Sequence, residues 1–134
     1  MAKVFFDTNV LLYLLSADDT RADRAEALLA EGGTISVQVL NEFASVASRK
    51  RAMTHAEIRE ALAPIRALCV VIPLTLDIHE HALQLAERYG FSIYDALIVS
   101  AALDAGCDTL HTEDLQDGQI IDGVLTINNP FGDR

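Results

Sequence analysis

The sequence predicts an α/β domain with a mostly parallel sheet of about five strands, covered by helices on both faces. Short runs of β-branched and aromatic residues alternate along the chain with longer segments whose apolar residues recur at helical spacing. The 134 residues are 51% hydrophobic, which is enough to close one core. We see no linker or internal repeat, so we expect residues 1–134 to form a single domain.

Each element follows from a local signal in the sequence. Strands are predicted at residues 4–6, 34–37, 70–72, 109–111 and 124–127. Helices are predicted near residues 11–15, 22–31, 38–50, 76–89 and 93–105, and a further helix is predicted to begin at Thr54. The spacing of Thr54 and Glu57 is that of a capping box, which favours a helix start there. Pro64 is expected to kink or interrupt the helix that follows.

Charge and composition narrow the function classes. The formal net charge is −10, which by itself argues against a nucleic-acid partner. Residues 42–75 are the exception, because they hold five basic and three acidic side chains. Cys69 and Cys107 fit no metal or redox spacing and are predicted to be reduced thiols. No apolar run reaches the ~18 residues of a membrane span, so we expect a cytoplasmic protein.

One carboxylate interrupts the most apolar stretch of the chain. Asp7 follows the first predicted strand and precedes a helix that Thr8 or Asn9 can cap. In open α/β sheets, ligands bind at the carboxyl ends of the strands, where helix amino ends favour negative charge. Asp7 is therefore a candidate site residue, although a turn or capping role explains the same position.

Three further acids lie at unusual positions. Glu42 borders the apolar face of the third predicted helix and is a second candidate site residue. The alternative is a surface glutamate whose aliphatic stem lies along the core. Asp95 opens a helix that is apolar nearly all round, and a buried carboxylate there must be paired, hydrogen-bonded or metal-bound. Ser92 can cap that helix whether Asp95 has a structural role or a functional one. Asp114 follows the fourth strand in an acidic turn, so it also falls at a strand's carboxyl end.

In a parallel fold these four acids can converge on one edge of the sheet. Two carboxylates ~4 Å apart repel by about 4 kcal/mol at an effective dielectric of ~20. A domain whose total stability is ~5–15 kcal/mol would not tolerate several such neighbours without a cation. A site of oxygen ligands alone favours Mg²⁺ or Mn²⁺, ions that commonly serve phosphoryl chemistry.

These residues, in this order, resemble a known family. The matching runs are FFDTNVL from residue 5, NEF from residue 41, SIYDALI from residue 92, TEDLQ from residue 112 and NPF from residue 129. They span essentially the whole chain and resemble the PIN-domain family, in particular the VapC-like toxin ribonucleases of bacterial toxin–antitoxin pairs. The family's four acids correspond to Asp7, Glu42, Asp95 and Asp114.

The resemblance implies a three-layer α/β/α sandwich, usually dimeric, that cleaves RNA with Mg²⁺ or Mn²⁺ and is inhibited by a small cognate antitoxin. It implies that the three aspartates hold the metal and that Glu42 ligates it or orients the attacking water. Asn9 and Thr112 are expected to support these acids, and the roles of Glu113 and Asp117 stay open. Arg49, Lys50 and Arg51 are candidates for RNA phosphate contacts, with a solvated helix end as the alternative.

Two other functions fit parts of the sequence. A haloacid-dehalogenase-like phosphatase also carries an aspartate after its first strand, but Asn9 stands where that motif has a second aspartate. A catalytically silent PIN-like module would keep the fold and use its surface only to bind a partner. The complete set of four acids favours the nuclease over both alternatives.

Overall fold

The computed structural model of the protein describes residues 3–132, and a mixed sheet runs through this part of the chain. Its six strands are β1 Val4–Phe6, β2 Gly33–Ser36, β3 Cys69–Ile72, β4 Thr109–His111, β5 Ile120–Ile121 and β6 Leu125–Asn128. Across the sheet they are ordered β3-β2-β1-β4-β6-β5. All neighbouring strands are parallel except β5 and β6. The predicted α/β fold with a mostly parallel sheet is confirmed.

Helices connect β1 to β2, β2 to β3 and β3 to β4, and they flank the sheet. Their bounds are α1 Thr8–Leu12, α2 Asp19–Ala30, α3 Val37–Arg51, α4 His55–Leu68, α5 Leu76–Tyr89 and α6 Ile93–Asp104. A single 3-10 turn, Tyr13–Leu15, continues α1. Helices that connect parallel strands pack on both faces of the sheet and bury them, as the alternation of strands and helices in the sequence predicted.

Side-chain caps define where several helices begin. Asp7 itself caps α1 by accepting a hydrogen bond from Thr8 N, so the capping role considered for Asp7 is present and neither Thr8 nor Asn9 is the cap. Thr54 and Glu57 form the predicted capping box at the start of α4. Of the two outcomes expected at Pro64, an interruption of the helix is wrong, because α4 continues through it to Leu68. Pro64 is exposed, so the carbonyl that loses its intrahelical partner can bind water.

The prediction of about five strands missed β5. This strand has only two residues, too few to show an alternating pattern. The chain then reverses through Asp122 and Gly123, whose φ angles of 50° and 70° lie in the left-handed region. β5 therefore pairs antiparallel with β6 at the edge of the sheet and leaves the architecture unchanged.

The core lies between the sheet and its helices. Phe5, Ile35, Phe43 and Leu110 are each fully buried, at 0% exposure. Every residue of α6 from Ala96 to Ala102 is buried, as expected from its apolar sequence. Among residues 3–132, no helix combines the length and the hydrophobicity needed to cross a bilayer.

Strand order places two distant parts of the chain side by side. β1 pairs with β4 in register, with Phe6 opposite His111, although more than 100 residues separate them. From β1 the sheet extends through β2 and β3 on one side and through β4 and β6 on the other. The connections after β1 and β4 thus open a crevice at the carboxyl edge, where ligands bind in such sheets.

Candidate metal centre

Three of the four predicted acids converge in this crevice. Asp7, Asp95 and Asp114 each offer a carboxylate oxygen, and these atoms lie within 4.8 Å of one another. Asp7 comes directly after β1, Asp95 lies in the first turn of α6, and Asp114 follows β4. Asp7 is buried, at 5% exposure, whereas Asp95 is half-buried and Asp114 is exposed. The cluster therefore opens to solvent on one side.

The fourth acid, Glu42, faces the same space from α3. It lines a cleft of about 180 Å³ together with the three aspartates. Its Oε1 accepts a hydrogen bond of 2.8 Å from Thr8 Oγ1, which fixes the carboxylate toward α1. The structure thus places Glu42 beside the three-aspartate cluster rather than within it.

Hydrogen bonds hold Asp7 in one orientation. Its Oδ1 accepts from Thr8 N at 2.7 Å, and its Oδ2 accepts from Thr112 Oγ1 at 2.8 Å. Thr112 Oγ1 in turn accepts from Asp114 N at 3.1 Å. Both oxygens of the buried carboxylate are therefore held by donors from the two strand ends that meet here.

Asn9 links the aspartates through its amide group. Its Nδ2 lies 3.3 Å from Asp7 Oδ2, 3.1 Å from Thr112 Oγ1 and 3.0 Å from Asp114 Oδ2. Its Oδ1 accepts from Glu113 N at 3.3 Å. A neutral donor thus sits between two carboxylates and fixes their separation. The structure brings Asn9 and Thr112 to the positions expected of supporting residues.

Burial and mutual repulsion both favour protonation of the cluster. Burial raises the pKa of Asp7 to about 7; hydrogen bonds from Thr112 and Thr8 oppose this rise, and the charges of Asp114 and Glu42 add to it. Burial is also the main reason that the pKa values of Glu42 and Asp95 are raised. Repulsion from Asp114 contributes at both of these residues. A cation bound nearby would instead favour the charged form of these carboxylates.

Acidification is expected to stabilise the metal-free protein through Asp7. Since folding raises the pKa of Asp7 from 3.8 to about 7, the folded state holds a proton that the unfolded state releases between these values. This stabilisation is fully present below pH 3.8 and is lost as the pH rises through about 7. The free energy of unfolding falls by up to about 1.4 kcal/mol per pH unit between these values. Urea unfolding in EDTA at several pH values would measure the slope, which should be shallower in Asp7→Asn.

The donor set fits a hard divalent cation. All candidate ligands are carboxylate oxygens, and the open side of the cluster leaves room for water and for a phosphate group. No His or Cys belongs to the cluster within the described residues 3–132. The observation that carries this assignment is a buried aspartate, fixed by donors, that faces two other acids.

The remaining acids of the β4 connection face elsewhere. Glu113 accepts hydrogen bonds from Tyr13 Oη at 2.8 and 3.0 Å and lies 3.5 Å from Arg21 Nη1. Asp117 Oδ1 accepts from Asn129 N at 2.9 Å. These contacts join the segment after β4 to α2 and to the segment after β6. They give structural roles to Glu113 and Asp117, the two acids whose roles the sequence left open.

The three basic candidates on α3 differ in their surroundings. Arg49 lines a cleft next to Glu42, and its Nε donates to Ser45 Oγ at 3.1 Å. Lys50 is exposed at the end of the helix. Arg51 Nη1 donates to Leu15 O at 2.8 Å, which ties α3 to the 3-10 turn. Arg49 is the best placed of the three to reach a ligand at the acids.

Sequence reasoning missed the contact made by Thr8. We considered this residue only as a helix cap, whereas its hydroxyl bonds Glu42 across 34 positions of the chain. A hydroxyl residue directly after the first acid was visible in the sequence, but its partner depended on how α3 packs against α1.

An acid cluster at the carboxyl edge of a parallel α/β sheet is typical of enzymes that act on phosphate groups with a divalent cation. The family model that describes the PIN domain matches residues 4–116. The chain belongs to the PIN-domain family, which confirms the resemblance drawn from its motifs.

Solved structures agree with this assignment. The VapC20 toxin of Mycobacterium tuberculosis, which cleaves the sarcin–ricin loop, is 25% identical with a TM-score of 0.68, over 84% of this chain and 90% of that one. A toxin–antitoxin complex from Klebsiella pneumoniae is similar at 26% identity and a TM-score of 0.70, over 96% and 98%. VapBC2 from Rickettsia felis, bound to a promoter DNA fragment, shares the fold at 22% identity and a TM-score of 0.67, over 94% and 97%. Comparison with curated protein sequences finds no match.

Proposed function

We propose that this protein is a metal-dependent endoribonuclease and the toxin of a toxin–antitoxin pair. The observation that carries the proposal is the convergence of three aspartate oxygens within 4.8 Å of one another in the crevice at the carboxyl edge of the sheet. Membership of the PIN-domain family and the likeness to VapC20 support RNA as the substrate. Family membership also leaves no reason to retain the phosphatase alternative.

Each acid has a proposed role in phosphodiester hydrolysis. Asp7, Asp95 and Asp114 would hold Mg²⁺ or Mn²⁺, which when bound would supply Lewis acidity and neutralise charge on the phosphate. Glu42, held by Thr8, orients the attacking water and accepts its proton. Because burial raises the pKa of Glu42, its carboxylate is a stronger base than an exposed glutamate. Asn9 and Thr112 keep Asp7 and Asp114 in position before the ion binds.

The partners are proposed on separate grounds. Likeness to solved toxin–antitoxin complexes supports a small cognate antitoxin, and an apolar groove beside α2 and α4 offers a surface for it. This groove, of about 490 Å³, includes Leu14, Leu15, Leu29, Ile65 and Leu68.

We further propose a cytoplasmic homodimer in which residues 1–134 form one nuclease domain. Light scattering of the purified protein would test the dimer.

The experiment that tests the function is cleavage of total cellular RNA by the purified protein. We expect discrete fragments with Mg²⁺ or Mn²⁺ and none with excess EDTA. Thermal unfolding measured in parallel should show a rise in melting temperature with either ion, because binding to the folded state alone stabilises it. Metal binding without cleavage of any RNA would instead favour the silent binding module, and the absence of both would refute the proposed site.

A further inference from the structure

Tyr94 is a large aromatic residue that the fold does not bury. It lies in the first turn of α6, next to Asp95, and 61% of its surface is exposed. The neighbouring helix positions Ala96 to Ala102 are all buried, so this helix begins with an exposed ring and continues into the core. Packing within residues 3–132 therefore does not explain why an aromatic residue stands at this position.

The Tyr94 ring forms one wall of a cleft that adjoins the acid cluster. The cleft has a volume of about 470 Å³, and Gln38, Asn41, Ser45 and Arg49 of α3 form its other wall. Glu42 and Val46 line both this cleft and the smaller one around the aspartates. A group seated beside Tyr94 would thus be directly next to a phosphate bound at the acids. We call this space the Tyr94 cleft.

We propose that the Tyr94 cleft binds a nucleobase of a single-stranded RNA, next to the scissile phosphate, with the base stacked on the Tyr94 ring. This inference rests on the proposed ribonuclease function and adds a substrate subsite to it. Aromatic rings bind bases in this way because every base has a π face, and each stacked base adds to the affinity. The 470 Å³ volume accommodates one base and its ribose.

The rest of the cleft has the chemistry that such a ligand requires. Arg49 places a cation near the backbone phosphates in a protein whose net charge is −10, and its bond to Ser45 orients the guanidinium along the helix. Asn41 carries an amide group that can both donate to and accept from a base edge, and Gln38, whose side chain hydrogen-bonds Glu42, keeps an amide oxygen that can accept. A base can reach these groups only when it is unpaired, which is why the cleft favours single strands over duplex RNA.

Substitutions at Tyr94 test the stacking directly. The binding assay uses fluorescein-labelled single-stranded RNA and protein carrying Asp7→Asn, so that cleavage does not consume the probe. Adding Tyr94→Ala should raise Kd about 5- to 150-fold, the equivalent of 1–3 kcal/mol, whereas adding Tyr94→Phe should change it less than about threefold. Ile120→Ala is the matched control, because it removes an exposed apolar side chain, 58% exposed, from the far edge of the sheet.

Cleavage kinetics provide a second readout in the otherwise unchanged protein. With an abasic nucleotide scanned along a cleaved RNA, one position next to the cut should raise KM in the wild type and have little effect in Tyr94→Ala. Unchanged Kd and KM in Tyr94→Ala would overturn the inference while leaving the nuclease intact, as would a loss in Tyr94→Phe equal to that in Tyr94→Ala. If wild-type protein neither bound nor cleaved RNA, the proposed function would fall as well.

Discussion

Asp7→Asn is expected to lower the rate of RNA cleavage by on the order of 10³-fold or more. The change keeps the size of the side chain but removes the charge of the one buried carboxylate in the cluster. It also places an amide where Thr8 N, Thr112 Oγ1 and Asn9 Nδ2 now donate to carboxylate oxygens. Both effects weaken cation binding, and with it the neutralisation of charge on the phosphate.

Single-turnover cleavage of a defined RNA, with a titration of Mg²⁺ and Mn²⁺, would measure this loss. Asp77→Asn is the matched control, since it removes the same charge from an exposed position at the start of α5 and should leave the rate unchanged. The melting temperature of Asp7→Asn should not change when either ion is added to the metal-free protein. A variant that kept its activity within about tenfold of the wild type would contradict the assignment of Asp7.

Phe43→Ala is expected to have the largest effect on stability, about 3–5 kcal/mol of the free energy of unfolding. Phe43 is fully buried on the inner face of α3, where it belongs to the hydrophobic core. Removing its ring leaves a cavity in addition to the lost apolar transfer energy. Because Glu42 precedes Phe43 on the same helix, this loss would also loosen the wall of the acid cleft.

Urea unfolding followed by circular dichroism would measure the change, with the m-value checked for two-state behaviour. Leu83→Ala provides a comparison, because Leu83 is 51% exposed and its truncation should cost less than about 1 kcal/mol. If the two variants lost the same free energy of unfolding, the core position of Phe43 would be wrong.

The sequence predicted the fold best where one strong signal acted alone. Residues 76–89 carry an uninterrupted apolar face and match α5 at both ends, and residues 109–111 match β4. The acids could be assembled into one site because strand ends in a parallel sheet share an edge. The family motifs then gave the order of the four acids, which periodicity alone does not supply.

The misses come from features that depend on tertiary contacts. The contact between Thr8 and Glu42 requires knowing how α1 packs against α3, and β5 exists only because β6 is there to pair with it. Asp95 was expected to be buried with the rest of its helix, yet it is half-buried because the helix starts at the open side of the crevice. Tyr94 was quoted within a motif, but its exposure could not be read from helical periodicity.

The pairing of β1 with β4 has a consequence for the synthesis of the protein. Asp7 is synthesised more than 100 residues before the strand that completes the site and before Asp114, which follows that strand. Until β4 emerges and pairs, the aspartates remain apart and no cation site exists. During synthesis the cation site therefore cannot form before Asp114 has left the ribosome.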